Sequence, residues 1–383
     1  MQIQFWYSNS IPTPGIQFVS ENLFNNVLFK NVDTEITSIS DLNFLVFKWK
    51  ISPTHIHSIE FIELLHKLQK QNFYFIADHS HEAHYNTDEL SLSFLNKLKF
   101  NGIDINRLIL VNNNSNKIGL HKIKYGNFIL NTCFFPYFYL HTHTALKNEI
   151  KNIAINNTII PDKNFLCLNR RMYYHKYQII EELFNRGLLD DTRFSWVDNK
   201  NTKNLSNKNL VDYLKIDVGN FKSIQLENDV MYGSELSKHE EYLYSINPEW
   251  YYKSKVNIIT ETFFNESEVH ITEKTWKAIY LGIPFVISAS IGHLKALRSM
   301  GFKTFNSVIN EDYDNMSGKN KIKKIIDSAI ELSNIYDNKE VLKICNFNQK
   351  LYSNLEHRRQ IYKEVFLDKL YDIQNTITSK TLI

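Results

Sequence analysis

Residues 256–305, VNIITETFFNESEVHITEKTWKAIYLGIPFVISASIGHLKALRSMGFKTF, constrain the fold more than any other part of the chain. The run 256–262 is apolar and β-branched, as a strand covered on both faces must be. Thr272 stands where an N-cap belongs, ahead of a helix expected over 273–281. Gly282-Ile283-Pro284 ends that helix, and Phe285-Val286-Ile287 follows as a short buried strand. Strand, helix and strand in this order make a unit of a parallel sheet. Glu273 and Lys274 open the helix, where free N–H groups and the helix dipole favour anions. Glu273 has the chemistry to accept both hydroxyls of a ribose, and Lys274 the charge to meet a diphosphate.

The same alternation runs through the rest of the chain. Strands are expected at 2–7, 44–49, 73–77 and 107–111, with helices at 58–71 and 88–98. The aromatic-rich stretch 134–140 is read as crossing toward a second domain. A polar stretch with Pro161, over 152–164, marks a boundary, and a strand at 165–168 starts the pattern again. A helix at 175–186 is stopped by Gly187, and a strand follows at 194–196. Residues 321–335 and 339–371 read as mostly helical, and 352–370 is amphipathic. The domains expected are 1–155, 156–345 and a set of C-terminal helices over 346–383 that cross back to the first domain. The fold class is α/β, with open, mostly parallel sheets.

Composition excludes several classes. The 383 residues are long enough for two cores, and a net charge of +3 gives no global pull toward nucleic acid. Cys133, Cys167 and Cys345 are too far apart for a CxxC metal pair and too few for a disulfide framework, which points to a reducing, cytoplasmic setting. The N-terminus has neither a basic segment nor an apolar one of signal-peptide type, and no run of about eighteen apolar residues exists to span a membrane. Tyr and Phe, at 21 and 26 copies, fall mostly at core spacing, so their number does not argue for a sugar or base platform. No DNA or RNA motif is present.

The unit around Glu273 resembles the C-terminal domain of glycosyltransferases of the α1,3-fucosyltransferase type and, more loosely, exostosin-like enzymes. The matching residues are Ile271, Thr272, Glu273, Lys274, Thr275 and Trp276, then Gly282, Pro284, Phe285 and Val286. The resemblance implies two Rossmann-like domains facing a cleft, the GT-B architecture, with the nucleotide sugar on the C-terminal half and the acceptor on the N-terminal half. It implies transfer of a sugar from a nucleoside diphosphate sugar to a hydroxyl, with inversion and without a metal or other cofactor. Glu273 would hold the ribose, and Thr272 would start the helix. The diphosphate would meet Lys274 and either Arg170 or Arg171, which follow the strand at 165–168; a guanidinium holds a diphosphate in a bidentate way that a lysine cannot. His175 would join that cluster. Glu261 would lie near the nucleotide or sugar, although TETFFNESEVH departs from the FENS usual in the family. Phe263 or Phe264 would stack on the base if not packed in the core, and the N–H groups of Gly292 and His293 would face phosphate. The resemblance tilts the base toward GDP and leaves the acceptor open among a glycan, a lipid-linked glycan, a protein and a modified DNA base.

An acceptor hydroxyl needs a base, and the segment 73–84, FYFIADHSHEAH, is where the N-terminal half offers one. Glu82 is the first choice, Asp78 the second, and His79 or His81 the third. They follow a buried strand, the edge at which open α/β sheets place ligands. His79, His81 and His84 also spell H-x-H-x-x-H, which would serve a metal-dependent hydrolase with His141 or His143 as a further ligand. Ala83 stands where that motif wants an aspartate, and the region lacks the β-hairpins and glycines of such a fold. A third reading is a non-catalytic subunit that binds a nucleotide sugar.

Overall fold

A computed structural model describes residues 3–7, 29–31, 42–48, 58–79, 89–114, 120–150, 159–169, 173–195, 246–266 and 268–372. The chain divides into two compact units, Met1–His141 with Leu355–Ile383, and Thr142–Asn354. Each is α/β, the class expected.

The first unit is built on a seven-stranded sheet ordered β2-β1-β3-β4-β5-β7-β6. Its strands are β1 (Ile3–Tyr7), β2 (Phe29–Asn31), β3 (Leu42–Lys48), β4 (Phe73–His79), β5 (Leu108–Asn112), β6 (Leu120–Tyr125) and β7 (Phe128–Phe134). All pairings are parallel except β6 with β7. That antiparallel hairpin was not expected from the sequence. Its signal is the Gly126-Asn127 pair between two strands. Gly126 sits at φ +57°, and a Cβ there would run into the side chain of Leu92.

Every residue of β4 is buried, as a central strand covered on both faces requires. Helix α1 (Ile59–Lys70) covers one face with Phe61, Ile62, Leu65 and Leu68. Ser58 caps it, its hydroxyl accepting from Phe61 N at 3.1 Å. Helix α2 (Glu89–Phe100) adds Phe94, Leu95 and Leu98 to the same core, around Trp6, Leu45, Phe47 and Phe75. The pleat sends the alternate residues Phe5 and Phe44 to the other face. The chain's last helices cover them. Phe366 stacks on Phe5 at 6.2 Å and meets Phe135 edge-on at 4.9 Å. The expected helix over 339–371 is therefore broken at Asn354. Helix α9 (Lys339–Ser353) ends there, and α10 (Leu355–Tyr362) runs on into a π turn, Lys363–Leu367. Tyr139 ties α10 down through its hydroxyl, 2.7 Å from His357 Nδ1. Tyr139 belongs to α3 (Tyr137–Ile150), within which the two units divide.

The second unit carries a four-stranded sheet, β11-β10-β8-β9, all parallel. Its elements in chain order are β8 (Lys163–Cys167), α4 (Tyr174–Asn185), β9 (Thr192–Phe194), α5 (Pro248–Tyr252), β10 (Ser254–Thr260), α6 (Glu273–Leu281), β11 (Phe285–Ser288), α7 (His293–Ser299), α8 (Gly318–Asn334) and then α9. Helix α6 matches the residues expected. Gly282 ends it at φ +69°, and Asn257 N then donates to Pro284 O at 2.9 Å, which sets β11 beside β10. Trp276 anchors α6 inward, stacked on Tyr352 of α9 at 5.3 Å and tilted against Phe302. Gln349 of α9 donates to Tyr280 O at 2.8 Å. The start of α6 is thus held from the helix's far end as well as its own.

Phe366 is wholly buried with aromatic partners on two sides. Phe366→Ala should cost about 3–5 kcal/mol of stability, read from urea unfolding. A loss under about 1 kcal/mol would mean that the C-terminal helix is not what covers this sheet face.

Candidate active site

The carboxyl ends of β8, β10 and β11 bring Asn169, Glu261 and Ser288 to one edge of the second unit's sheet, the edge where open parallel sheets bind ligands. Glu261 N donates to Ser288 O at 3.0 Å, so the ladder of β10 with β11 runs on into the site. Glu261 itself is 0% exposed. Its Oε1 accepts from Thr272 N at 3.1 Å and from the Thr275 hydroxyl at 2.7 Å, and its Oε2 accepts from the Thr272 hydroxyl at 2.5 Å. Lys274 Nζ lies 3.7 Å from Oε2. Burial alone would raise this acid. The charge of Lys274, His293 and the two threonine hydroxyls outweigh it and bring Glu261 down to about 2. Three hydrogen bonds and a cation account for an otherwise forbidding buried charge.

Thr272 occupies the N-cap position of α6, as expected, but its side chain makes no cap hydrogen bond. The hydroxyl turns to Glu261 instead, because a buried carboxylate is a stronger acceptor partner than a helix N–H is a donor. Glu261 lies beneath the surface, so it positions Thr272 and Lys274 rather than presenting its own carboxylate.

Lys274 is a hub. Its Nζ donates to Thr272 Oγ1 at 2.9 Å and pairs with Glu273 Oε1 at 3.2 Å. A quarter of its side chain remains exposed. Burial would lower it, but Glu273 and Glu261 hold it above the ordinary lysine value. Glu273 is buried too, yet Lys274 and then Lys277 keep its carboxylate below the usual range. The first turn of α6 therefore presents a fixed carboxylate and a fixed ammonium side by side.

Across from it lies the start of α4. Asn169 is locked before that helix: its N–H donates to Ser195 Oγ at 2.7 Å, and its Oδ1 accepts from Thr260 Oγ1 at 2.6 Å. Arg170 and Arg171, next in the chain, lie outside the described residues. His175 joins the cluster in a way not expected. It is packed, not phosphate-facing: its Nε2 donates to the carbonyl of Glu261 at 2.9 Å, and its ring stacks on Phe264 at 5.1 Å. A carbonyl only accepts, so Nε2 carries the proton. Burial lowers His175 to about 4, leaving it neutral near pH 7. Phe263 and Phe264 are both buried, which is the packing alternative to base stacking. Lys176, which the sequence reading passed over, is 2% exposed beside His175. Its signal was only its place five residues after Arg171.

Of the Gly292 and His293 N–H groups expected to face phosphate, that of Gly292 is taken from within the protein. The start of α7 is filled from within. Asp314 accepts from Gly292 N through its backbone at 3.0 Å, and from Leu294 N and Lys295 N through its carboxylate at 3.0 and 3.1 Å. An internal aspartate satisfies three of the donors that an anion would have used.

In the first unit, β4 runs two residues further than expected, so Asp78 and His79 close the strand rather than open the following loop. Both are buried at its carboxyl end, paired in register with Val111 and Asn112 of β5. Glu82, His81 and His84 lie outside the described residues. His141 stacks on Tyr137 at 5.0 Å, and His143 packs edge-on against Tyr280 and Tyr352. Those ring contacts give the two histidines packing roles. Among the described residues, no group of three His, Cys, Asp or Glu side chains is arranged to hold a metal, and no helix is long and apolar enough to cross a membrane.

Glu261→Gln should destabilise the protein by about 3–5 kcal/mol, because the amide leaves Lys274 and two hydroxyls facing a donor. The native advantage should be full above the ordinary carboxylate range and fade as pH falls toward about 2, where the native Glu261 protonates. Denaturant unfolding of both proteins over that range reads the gap; a gap that does not narrow on acidification would contradict the assignment.

No family model matches the chain, and no curated protein matches it significantly. Among solved structures it is similar to one of a trehalose-6-phosphate synthase, described in work on enzymatic glycosyl transfer with retention. The identity is 10%, over 94% of this chain and 78% of that one, with a TM-score of 0.43. A likeness at that level is too weak to carry an argument about fold or activity.

Proposed function

We propose that the protein is a glycosyltransferase that moves a sugar from a nucleoside diphosphate sugar to an acceptor hydroxyl. The observation that carries this reading is the Glu273–Lys274 pair at the start of α6. Lys274 is held from below by the buried carboxylate of Glu261 and in turn pairs with Glu273, at the ligand-binding edge of a parallel sheet. Glu273 accepts the ribose hydroxyls. Lys274 meets the diphosphate with its exposed quarter, and one of Arg170 and Arg171 completes the clamp. Positive side chains then stabilise the leaving diphosphate, so no metal is needed for the donor. A general base in the first unit, Glu82 or Asp78, takes the acceptor proton in a transfer with inversion. GDP is the favoured donor nucleotide. This reading rests on the local arrangement together with the sequence resemblance.

A thermal-shift panel of GDP, UDP, ADP, CMP and their sugar conjugates, with and without EDTA, tests it. One nucleoside diphosphate at about a hundred times its Kd should add about 2.7 kcal/mol of stability, unchanged by EDTA. Lys274→Ala should weaken that ligand by about ten- to a hundredfold, the worth of a charge-assisted hydrogen bond. Glu273→Gln should weaken the ribonucleotide and spare inorganic pyrophosphate. No nucleotide response, with EDTA lowering the melting temperature, would replace this reading with the metal hydrolase. Donor binding without turnover on any acceptor would replace it with the non-catalytic subunit.

A further inference from the structure

Helix α8 opens GKNKIKK, and its lysines divide in the structure. Lys319 and Lys323 are exposed. Lys321, between them, is 1% exposed. It lies in the first turn of the helix, the end that disfavours a cation. Burial opposes the charge a second time. For filling the core alone, an apolar side chain of the same length would serve as well or better.

The amine is taken up by two loops that leave the ligand-binding edge of the second unit's sheet. Its Nζ donates to Ala289 O at 2.6 Å, and Ala289 directly follows the last residue of β11. The same Nζ lies 5.2 Å from the ring centroid of Phe264, in the loop between β10 and α6. Among the described residues it makes no ion pair, and the charge that weighs on it is that of Asp314. Burial brings Lys321 down to about 8, which leaves it protonated near pH 7. A carbonyl oxygen and the face of an aromatic ring both attract an ammonium, and this one reaches both.

From those two contacts the structure runs to Glu261 by two routes. Phe264 stacks on His175 at 5.1 Å, the rings 2° from parallel, and His175 Nε2 donates to the carbonyl of Glu261 at 2.9 Å. On the other side, Ala289 follows Ser288, whose carbonyl accepts from Glu261 N at 3.0 Å. The stretch from Ala289 to Gly292 is pinned at both ends, by Lys321 at Ala289 O and by the carbonyl of Asp314 at Gly292 N. Both peptide groups of Glu261 are thus held by residues that Lys321 touches or that lie one step beyond. The carboxylate of Glu261 in turn fixes Thr272 and Lys274.

We infer that Lys321 is a positioning residue for the nucleotide site: its ammonium ties the loop after β10 to the loop after β11, and so fixes the backbone of Glu261 from which Thr272 and Lys274 are set. The inference rests on the nucleotide-sugar reading only for what binds at this edge. Lys321 acts through Phe264 and Ala289, not by contact with the nucleotide. Its loss lets the ring stack and Ser288 shift, misplaces Lys274, and weakens binding without removing any group that meets the ligand.

Two variants of the full chain separate charge from bulk. Lys321→Met keeps the apolar stem and loses the ammonium; Lys321→Arg keeps a cation for the carbonyl and the ring. In titrations with GDP at neutral pH, Lys321→Met should bind about ten- to a hundredfold more weakly than the wild type, and Lys321→Arg should restore most of that loss. Lys321→Gln, which keeps an N–H for Ala289 O without the charge, stands in if Lys321→Met does not fold. A second readout needs no ligand. With isotope-labelled histidine and tryptophan, exchange of the His175 Nε2–H with solvent should be at least about tenfold faster in Lys321→Met, while the indole N–H of Trp276, off this path, keeps its rate. Unchanged GDP affinity in Lys321→Met, where the wild type binds GDP, would overturn the inference and leave the nucleotide-sugar reading standing. Equal acceleration at His175 and Trp276 would overturn it as well, because that marks a general loss of stability. No response of the wild type to any nucleoside diphosphate would overturn the nucleotide-sugar reading; acceleration confined to His175 would then keep Lys321 as the tie at this edge, and its absence would overturn both.

Discussion

The buried carboxylate of Glu261 is what the second unit's polar edge depends on. It sits at the end of β10 and takes the Thr272 N–H, the Thr272 and Thr275 hydroxyls and the charge of Lys274. Those partners all belong to the start of α6. The acid thus joins strand to helix and sets the direction of the first turn. A charge with no exposure is tolerable only when its lone pairs are filled and a cation is near. Both conditions are met, so the group stays ionised where burial alone would neutralise it.

That arrangement has a consequence for what the helix start presents. A free helix N-terminus is a general anion site. Here much of the positive field is spent inward on Glu261, and α7 is filled in the same way by Asp314. What faces outward is Lys274, held between two carboxylates. Anion recognition at this edge therefore falls to side chains whose positions are fixed by buried acids, more than to bare backbone.

The first unit solves a different problem. Its sheet is wide and apolar on both faces, and the helices between its strands cover one of them. The other is covered by residues from more than two hundred positions away, with Phe366 against Phe5 and Phe135, and His357 tied to Tyr139. The break at Asn354 separates a helix that packs on α6 from one that packs on this sheet.

The sequence by itself determined the α/β class, the parallel strands and the extent of α6, because apolar runs, a terminating glycine and helical spacing are local signals with local causes. It also placed Glu273 and Lys274 together at a helix start. The signal for the hairpin of β6 and β7 is Gly126-Asn127, weakened by the polar alternation of β6, LHKIKY. Tertiary structure decided the rest. That Thr272 turns from capping to bonding Glu261, that His175 is a packed neutral ring, that Asp314 fills α7 and that Lys176 is buried all depend on which distant side chain arrives at a site. Burial and charge pairing are properties of neighbours in space. Glu261 and Glu266 are both acids in one loop, yet the first is fully buried and ionised deep beneath α6 while the second bonds a loop N–H. Nothing in their local sequence distinguishes them; the fold does, by placing a lysine and two hydroxyls around one of them.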